Sequence, residues 1–258
     1  MKTIKEIYAY REMIVSLVRR ELRGKYKASF LGFLWTFVNP LLQLLVYTIV
    51  FSIIMRNGIK DYYLFLFVAL IPWLFFSTCA STGCGCVVAS SDMVKKIYFP
   101  REVLPIAFVT SQFVNMLLCF VVLFGVLIVS GKGLSGRALL YLPIVMVVEY
   151  ILALGITLLF SGVSVYFRDL MHIMGILIIA WQFMTPVMYS LDMVPKKVLW
   201  VFRFNPMSSV ITAYRDILYY KQPPKMQTLA EAVIIGCVLL IVGAFSFRRL
   251  QRHFAENM

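Results

Sequence analysis

"IAFVTSQFVNMLLCFVVLFGVLIVS", residues 106–130, contains no charged side chain. About 20 apolar residues in a helix cross the roughly 30 Å hydrocarbon core of a bilayer, so this stretch is long enough for one crossing. A spanning segment must satisfy its own backbone polar groups, and the stretch lacks the alternation that is typical of a barrel strand. It therefore predicts a transmembrane helix and an all-α membrane protein.

The rest of the chain repeats this pattern. Hydrophobic residues make up 61% of the 258 residues and charged residues only 14%, which excludes a water-soluble globule. Six windows of spanning length are predicted, and they form one domain over residues 33–258. The windows are 33–55, 62–88, 106–130, 139–165, 173–189 and 229–247.

Basic residues are concentrated on one side of these spans. Fifteen lie in the amino-terminal arm, the tail 248–258 and the loops after spans two and four, whereas the short opposite loops hold four. Basic loops tend to remain in the cytoplasm, so both termini are expected there. The net charge of +13 is assigned to topology and to anionic membrane lipids. No soluble basic domain supports a nucleic-acid partner.

The arm, residues 1–32, lacks the short apolar core and small-residue cleavage site of a signal peptide, so we expect it to be retained. It predicts an amphipathic helix in the membrane interface, the alternative being a solvated basic helix. The apolar face holds Ile7, Tyr10, Ile14, Leu17 and Val18, and the polar face holds Glu12, Ser16, Arg19, Arg20 and Arg23.

Residues 90–105, "SSDMVKKIYFPREVLP", interrupt the apolar pattern with a short basic segment. Ser91 or Asp92 is a good helix cap, and Pro100 forces Phe99 out of helical conformation. Pro100 is expected to open the next helix and Pro105 to loosen its first turns. The pattern predicts a two-turn amphipathic helix that either rests on lipid head groups or docks a soluble partner. Its apolar side is Met93, Val94, Ile97 and Tyr98, and its basic side is Lys95 and Lys96.

Residues 191–226 contain two apolar pieces that are too short to cross, broken at Asn205 and Pro206. They predict a helical hairpin that re-enters the membrane from the outer side, where protein or water must cover its irregular backbone. The expected buried faces are Val198, Leu199 and Phe202 in the first piece, and Val210, Ile211, Tyr214, Ile217 and Leu218 in the second.

Polar side chains inside the spans are costly and therefore informative. Glu149 lies well inside span four, where a charge costs ~2.5 kcal/mol or more, and it either lines a conduit or pairs with Arg203 or Arg215. Four amides bond between helices or meet hydroxyls of a substrate: Gln43, Gln112, Asn115 and Gln182.

The five cysteines lie in or beside apolar spans and act as small hydrophobes. The "GCGC" at residues 83–86 favours close helix packing over a metal site, because no second cluster or nearby His completes a ligand set. The chain holds no clustered carboxylates, two histidines and no G-x-x-x-x-G-K-[ST] loop, so no catalytic residue, metal or cofactor is expected in it.

Five segments together resemble the membrane subunits of ABC-2 type transporters, in particular those that export O-antigen, capsular or teichoic acid polysaccharides. They are "VRRELRGKYKASFLGFLWTFVNPLLQ" (18–43), "KKIYFPREVLP" (95–105), "VYFRDL" (165–170), "TPVMYS" (185–190) and "FNPMSSVITAYRDIL" (204–218). Arg168 and Asp169 match the family's "RD" pair, for which helix termination and local pairing are the simpler explanation.

This resemblance implies a homodimer in a bacterial cytoplasmic (inner) membrane. Each subunit would dock a separate cytoplasmic P-loop ATPase, which binds ATP and Mg²⁺, and would move a lipid-linked glycan outward. The segment between spans two and three would be the coupling helix that enters the ATPase. That role falls on Asp92, Met93, Val94, Lys95, Lys96, Ile97, Tyr98, Phe99, Pro100 and Arg101.

The resemblance also implies a channel ringed by aromatic side chains and an extracellular gate on the hairpin. Flat aromatic faces hold the C–H faces of sugars while the polymer slides, although packing is the simpler role for any one of them. The channel candidates are Phe33, Phe37, Tyr47, Phe51, Trp73, Phe76 and Glu149. The gate candidates, for which a purely structural lid is the alternative, are Phe202, Asn205, Pro206, Tyr214 and Arg215.

Other classes fit the sequence less well. An exporter of drugs or small lipids is the main alternative within the family. A secondary transporter or ATP-independent channel would show matching broken spans in two halves, which this chain lacks.

Overall fold

The computed structural model describes residues 2–24, 30–55 and 58–254. Across those ranges the protein forms helices, turns and loops and has no strand. The prediction of an all-α protein is therefore confirmed for this part of the chain. Lys25, Lys27 and Arg56, which were counted in the charge distribution, lie outside the described residues.

Five helical segments are long and apolar enough to cross a membrane within the described ranges, and they match predicted spans one, two, three, four and six. The long helices are α3 (Trp35–Thr48, continued by a π-helical turn at Ile49–Ile54), α4 (Tyr62–Ser81), α6 (Val103–Val129), α8 (Leu142–Ser164) and α12 (Met226–Leu250).

The predicted fifth span differs from the rest. Instead of filling the window 173–189, its helix, α9, covers Leu170–Phe183 and ends in a turn at Met184. Its 14 residues span about 21 Å at 1.5 Å per residue, which is short of the hydrocarbon thickness.

Shorter helices join these elements. They are α1 (Lys2–Ala9), α2 (Arg11–Gly24), α5 (Ser91–Lys96), α7 (Gly136–Leu139), α10 (Leu199–Phe204) and α11 (Pro206–Leu218). The predicted break at Asn205 and Pro206 is confirmed, because it separates α10 from α11.

The closest helix packing joins α8 and α12 through glycines. A Cβ atom on Gly155 would lie 2.6 Å from the backbone nitrogen of Leu240, and one on Gly243 would collide with the carbonyl of Gly155. Small residues let two backbones approach within a membrane, where van der Waals packing replaces the hydrophobic effect. Gly83 of the "GCGC" segment acts similarly, because its added Cβ would lie 3.0 Å from Thr157 Cγ2.

The arm packs on protein rather than only on lipid. Leu17 is 6% exposed and shares a second hydrophobic core with Val103 at the start of α6 and Phe254 after α12. Arg19 and Arg20 are exposed on the other side of α2, so the predicted amphipathic pattern of this helix is confirmed. Both described ends of the chain therefore lie at one end of the helix bundle, which we call the terminal end.

Pro105 does not loosen α6 as expected. It is the third residue of a helix that continues to Val129. The first four N–H groups of a helix have no intrahelical acceptor, so a proline at this position removes no hydrogen bond. Pro100 instead opens a turn, in which its carbonyl accepts from Val103 N at 3.1 Å.

Candidate functional site

The predicted coupling segment is a short helix followed by a few residues of extended backbone, and it lies at the terminal end. Val94 and Phe99 are each 5% exposed and belong to the second hydrophobic core. Ile97 is 58% exposed and Tyr98 is 95% exposed, so they do not share the buried side with Val94 as predicted. The buried side chains of Val94 and Phe99 thus fix the segment, and Ile97 and Tyr98 between them remain on the surface.

The predicted side-chain cap of this helix is wrong. Ser91 is the first helical residue rather than the cap, and Ser90, which precedes it, makes no capping bond with its side chain. Asp92 still lies in the first turn and Lys95 and Lys96 in the last. These positions match the helix dipole, which favours acidic residues at the beginning and basic residues at the end.

Arg101 and Glu102 attach the coupling segment to the end of α12. Arg101 donates from Nη1 to the carbonyl of Gln251, and Gln251 Nε2 donates to Glu102 Oε1 at 3.0 Å. Arg248 Nε lies 3.6 Å from the same carboxylate oxygen. Sequence reasoning missed Glu102, since partners nearly 150 residues away give no local signal. Lys95 and Lys96 are exposed, whereas Arg101 is engaged within the chain.

A cleft of ≈ 600 Å³ opens beside this segment. Its walls include Ile97 and Tyr98 on one side and Arg248 and Arg252 on the other. The exposed apolar pair and the basic residues of the tail therefore face a common space at the terminal end.

At the hairpin, Asn205 connects three elements. Its Oδ1 accepts from Met207 N at 3.1 Å, which caps α11, and also from Trp181 Nε1 at 2.9 Å. Its Nδ2 donates to the Met184 carbonyl and to Thr185 Oγ1, both at 2.9 Å. The side chain thus holds the α10–α11 junction against the end of α9.

Arg215 compensates for the short α9. Its guanidinium donates to the carbonyls of Pro186 at 2.6 Å, Val187 at 2.6 Å and Tyr189 at 3.1 Å, and lies 3.5 Å from the centre of the Phe65 ring. Arg215 is 4% exposed. Carbonyls in irregular buried backbone need such donors, because unsatisfied groups are costly where water is absent.

Glu149 is fully buried and pairs with a phenol. Tyr214 OH donates to Glu149 Oε2 at 2.7 Å. The predicted pairing with Arg215 is wrong, because that guanidinium is directed to backbone carbonyls. The side chain of Arg203, the other predicted partner, lies outside the described residues. Glu149 Oε1 has no hydrogen-bond partner in the described protein.

The candidate channel aromatics fall into three groups. Trp73 and Phe76 are 1% and 0% exposed, and Phe76 packs edge-on against Trp181 at 5.1 Å. Phe33 is 48% exposed and meets Phe37 at 5.5 Å on the surface of the first spanning segment. Tyr47 and Phe51 pack partly against the main core. In the described part of the chain, Trp73 and Phe76 of α4 are therefore enclosed by other side chains and do not reach the surface.

The remaining gate and loop residues are placed as follows. In α11, Val210, Ile211, Tyr214, Ile217 and Leu218 are buried as predicted, together with Pro206. Val198 is 43% exposed, so the predicted buried face of the first piece is wrong at this position. Phe202 is half-buried and contacts Tyr189 edge-on at 6.3 Å. Arg168 and Asp169 are exposed in the turn that opens α9.

Three of the four predicted intramembrane amides converge. Gln43, Gln112 and Asn115 line one cleft of ≈ 190 Å³ between α3, α4 and α6, and Gln182 lies elsewhere. We call this space the polar cleft. Its walls also include Thr36, Asn39 and Thr78, together with Trp35 and Phe75.

Comparison with known proteins identifies the class. Residues 12–219 match the family described as ABC-2 type transporter. The chain is 34% identical to the O-antigen export system permease protein RfbA of Myxococcus xanthus over the full length of both proteins. It is 32% identical to the Klebsiella pneumoniae protein of that name, over 95% of this chain and 94% of the relative. It is 24% identical to the polysialic acid transport protein KpsM of Escherichia coli, over 91% and 92%.

The match to the family covers most of the chain, from the α2 helix to the end of the hairpin. The chain therefore belongs to the ABC-2 type transporter family. The resemblance to this family that the sequence indicated is confirmed.

Proposed function

We propose that this protein is the membrane permease subunit of an ATP-driven exporter that moves a lipid-linked polysaccharide out across the bacterial cytoplasmic membrane. One structural observation carries the mechanism: an exposed apolar pair, Ile97 and Tyr98, is held on a segment anchored by Val94 and Phe99. Relatives that match nearly the whole chain are named for O-antigen export and polysialic acid transport, which supports a glycan as cargo.

The partner that fits this segment is a cytoplasmic ATPase. Ile97 and Tyr98 offer apolar surface for a groove, and Lys95 and Lys96 add charge that sets register and encounter. The link from Arg101 and Glu102 to Gln251 couples the segment to α12 as well as α6. Movement of the ATPase would therefore displace both helices as a rigid body.

In this proposal both termini are cytoplasmic and the chain makes six crossings. The fifth consists of α9 with residues 184–190, whose carbonyls Arg215 satisfies. The two helices α10 and α11 form the outer re-entrant hairpin. Irregular backbone at membrane depth requires cover by protein, and the buried face of α11 supports that placement.

The working unit is a homodimer with the conduit between its subunits. α3 and α12 bury few of their residues within one chain, and the surfaces that remain are available to a second copy or to lipid. The aromatic side chains proposed for the conduit are then Phe33 and Phe37, which reach the surface of α3, rather than the buried Trp73 and Phe76.

A matched pair of substitutions tests the docking role. Ile97→Asp puts a charge on the exposed apolar pair, and Met193→Asp does the same at a 51% exposed residue near the hairpin. Burying an isoleucine contributes about 1.5–3 kcal/mol, so Ile97→Asp should weaken co-purification of the ATPase at least tenfold. The amount of surface polysaccharide should fall in proportion in Ile97→Asp. In Met193→Asp, both ATPase co-purification and surface polysaccharide should stay at the level of the parent protein.

Membrane insertion of each variant is measured by the amount of full-length protein in purified inner membranes. Normal ATPase binding and export by inserted Ile97→Asp would overturn the docking proposal. Accumulation of complete polymer inside cells that lack the permease would support the glycan cargo, and normal surface polymer in those cells would refute it.

A further inference from the structure

The polar cleft originates in the sequence of α3. Pro40 has no N–H, so the carbonyl four residues earlier, that of Thr36, loses its helical partner. Cys119 Sγ on α6 lies 3.4 Å from this carbonyl and donates to it. The carbonyl that the proline cannot pair thus makes a polar contact across to α6.

The floor of the cleft is polar and incompletely satisfied. Asn115 is 8% exposed, and its Oδ1 has no hydrogen-bond partner in the described protein. Its Nδ2 reaches Gln112 Oε1 only at 3.4 Å, and Gln112 Nε2 reaches Ser111 Oγ at 3.3 Å. Buried amides normally make complete hydrogen bonds, so the Asn115 Oδ1 atom has unused capacity to accept one from a ligand.

The lining restricts the chemistry of that ligand. Amide and hydroxyl groups offer both donors and acceptors, and none of the described residues that line the cleft is charged. A phosphate or a cation would therefore find no counter-charge. Trp35 and Phe75 add aromatic faces, which suit flat C–H surfaces. The ≈ 190 Å³ volume corresponds to about six waters of liquid, which is close to one sugar ring.

The cleft is also accessible from the surface of the subunit. Asn39 is exposed on α3, Gln43 is half-buried, and Gln112 and Asn115 lie at the inner end. A ligand can therefore enter sideways from the membrane-facing or subunit-facing side of α3.

We propose that the polar cleft is a binding subsite for a single neutral sugar ring, with Asn115 Oδ1 accepting a sugar hydroxyl. The assignment of that sugar to the exported glycan rests on the proposed function. The subsite itself rests on the geometry of α3, α4 and α6. The subsite would hold one sugar unit of the glycan within the bilayer, beside α3.

The test uses the full-length permease in lipid nanodiscs and a membrane-soluble alkyl glucoside that carries a photoreactive diazirine on the sugar. Two probes with the same alkyl chain and diazirine carry a triethylene glycol or a phosphate head group. After illumination, labelled peptides are located by mass spectrometry. The glucoside should label residues 35–43 and 112–119, and both other probes should label them at least tenfold less.

Substitutions then locate the interaction. Asn115→Leu keeps the approximate volume and removes the unpaired acceptor, so labelling by the glucoside should fall about tenfold, the change that one well-made hydrogen bond supplies. Gln182→Leu, which removes an intramembrane amide outside the cleft, should leave labelling unchanged. Thr78→Val is a second, nearly isosteric test from the opposite wall, should Asn115→Leu fail to fold.

Several results would overturn the inference. Equal labelling by the glycol probe would show a hydrated polar seam, and stronger labelling by the phosphate probe would show an anion site. Undiminished labelling in folded Asn115→Leu and Thr78→Val would also exclude it. None of these results would contradict polysaccharide export that is measured in intact cells. Specific labelling by the glucoside, together with an absence of export, would refute only the proposed function.

Discussion

The predicted coupling segment and the predicted hairpin, α10 with α11, are both short interruptions between apolar helices, yet they are stabilised in opposite ways. Val94 and Phe99 anchor the coupling segment by burial, and its next neighbours, Ile97 and Tyr98, remain exposed. In the hairpin, α11 is buried, and Asn205 and Arg215 fix it by hydrogen bonds to the backbone after α9. One region leaves apolar side chains on the surface of the chain, and the other is buried within it.

This difference changes how the hairpin is interpreted. A gate on this segment would have to break several buried hydrogen bonds whenever α11 moved relative to α9. Buried polar networks of that kind rigidify a structure when their members are satisfied. If the hairpin opens a conduit, it should move together with residues 184–190 as one body, and Phe202, which is half-buried, is the gate candidate least restrained by these bonds.

The largest effect is expected at Arg215. Arg215→Met should leave the carbonyls of Pro186, Val187 and Tyr189 without their donor. Each unsatisfied buried group costs about 1–3 kcal/mol, so the free energy of unfolding should fall by about 3 kcal/mol or more. The loss of stability is measured as a lower midpoint of thermal unfolding in detergent, with size-exclusion chromatography as the readout. Lys196→Met, which removes an exposed cation from the segment before α10, is the control and should leave the midpoint unchanged.

The next effect concerns stiffness in the coupling segment. Lys95→Gly with Lys96→Gly should weaken α5 by about 1 kcal/mol, because a glycine inside a helix costs about that much relative to alanine and Lys96 is the last residue of the helix. Export should be lost while membrane insertion is retained. Lys95→Ala with Lys96→Ala removes the same charges and keeps the helix. Equal export by the glycine and alanine pairs would contradict a mechanical role for α5.

Asn205→Ala should have an intermediate effect. It removes the cap of α11 and the bonds to Trp181, Met184 and Thr185. Loss of an N-cap costs about 0.5–2 kcal/mol, and the unpaired Trp181 indole adds to that. The midpoint of thermal unfolding should fall less than in Arg215→Met. Asn205→Asp, which retains the accepting oxygen, should recover the cap and the Trp181 bond but not the two donated bonds. Identical midpoints for the alanine and aspartate variants would show that the cap contributes nothing measurable.

Much of this architecture could be predicted from the sequence. Five spans follow from uninterrupted apolar windows, because a bilayer imposes a length on any helix that crosses it. The hairpin break follows from Asn205 and Pro206, whose local preferences agree with the observed cap. The shortness of α9 had one signal in the sequence, Pro186, which lacks an N–H and disfavours helix at the residue before it. The distant donor that satisfies the carbonyls after the helix, Arg215, had no such signal.

The functional pairings were the least predictable part. Charge alone suggested that Glu149 would bind an arginine, but its partner is the phenol of Tyr214. Periodicity could indicate that Gln43, Gln112 and Asn115 are intramembrane amides, but it could not show that three helices bring them to one cleft. This convergence depends on how the helices pack, and helix packing could not be inferred from the pattern of a single sequence.

The smallest effect is expected at the loops on the hairpin side. Lys132 Nζ lies 2.6 Å from Asp61 Oδ2, and a hydrogen bond from Lys132 lowers the pKa of the Asp61 carboxyl from its ordinary value of 3.8. A lowered folded-state pKa means that the pair stabilises the protein above about pH 4 and ceases to do so as the pH falls through the lower value. Both side chains are partly exposed, so the effect is small and salt-sensitive.

Asp61→Asn keeps the shape of the side chain and tolerates the positive φ of 48° at this position. Its unfolding midpoint should lie slightly below that of the parent protein at pH 7 and low salt, and the two should converge at high salt or once the pH falls below the lowered pKa of Asp61. A constant difference across pH and salt would assign the effect to backbone conformation rather than to charge.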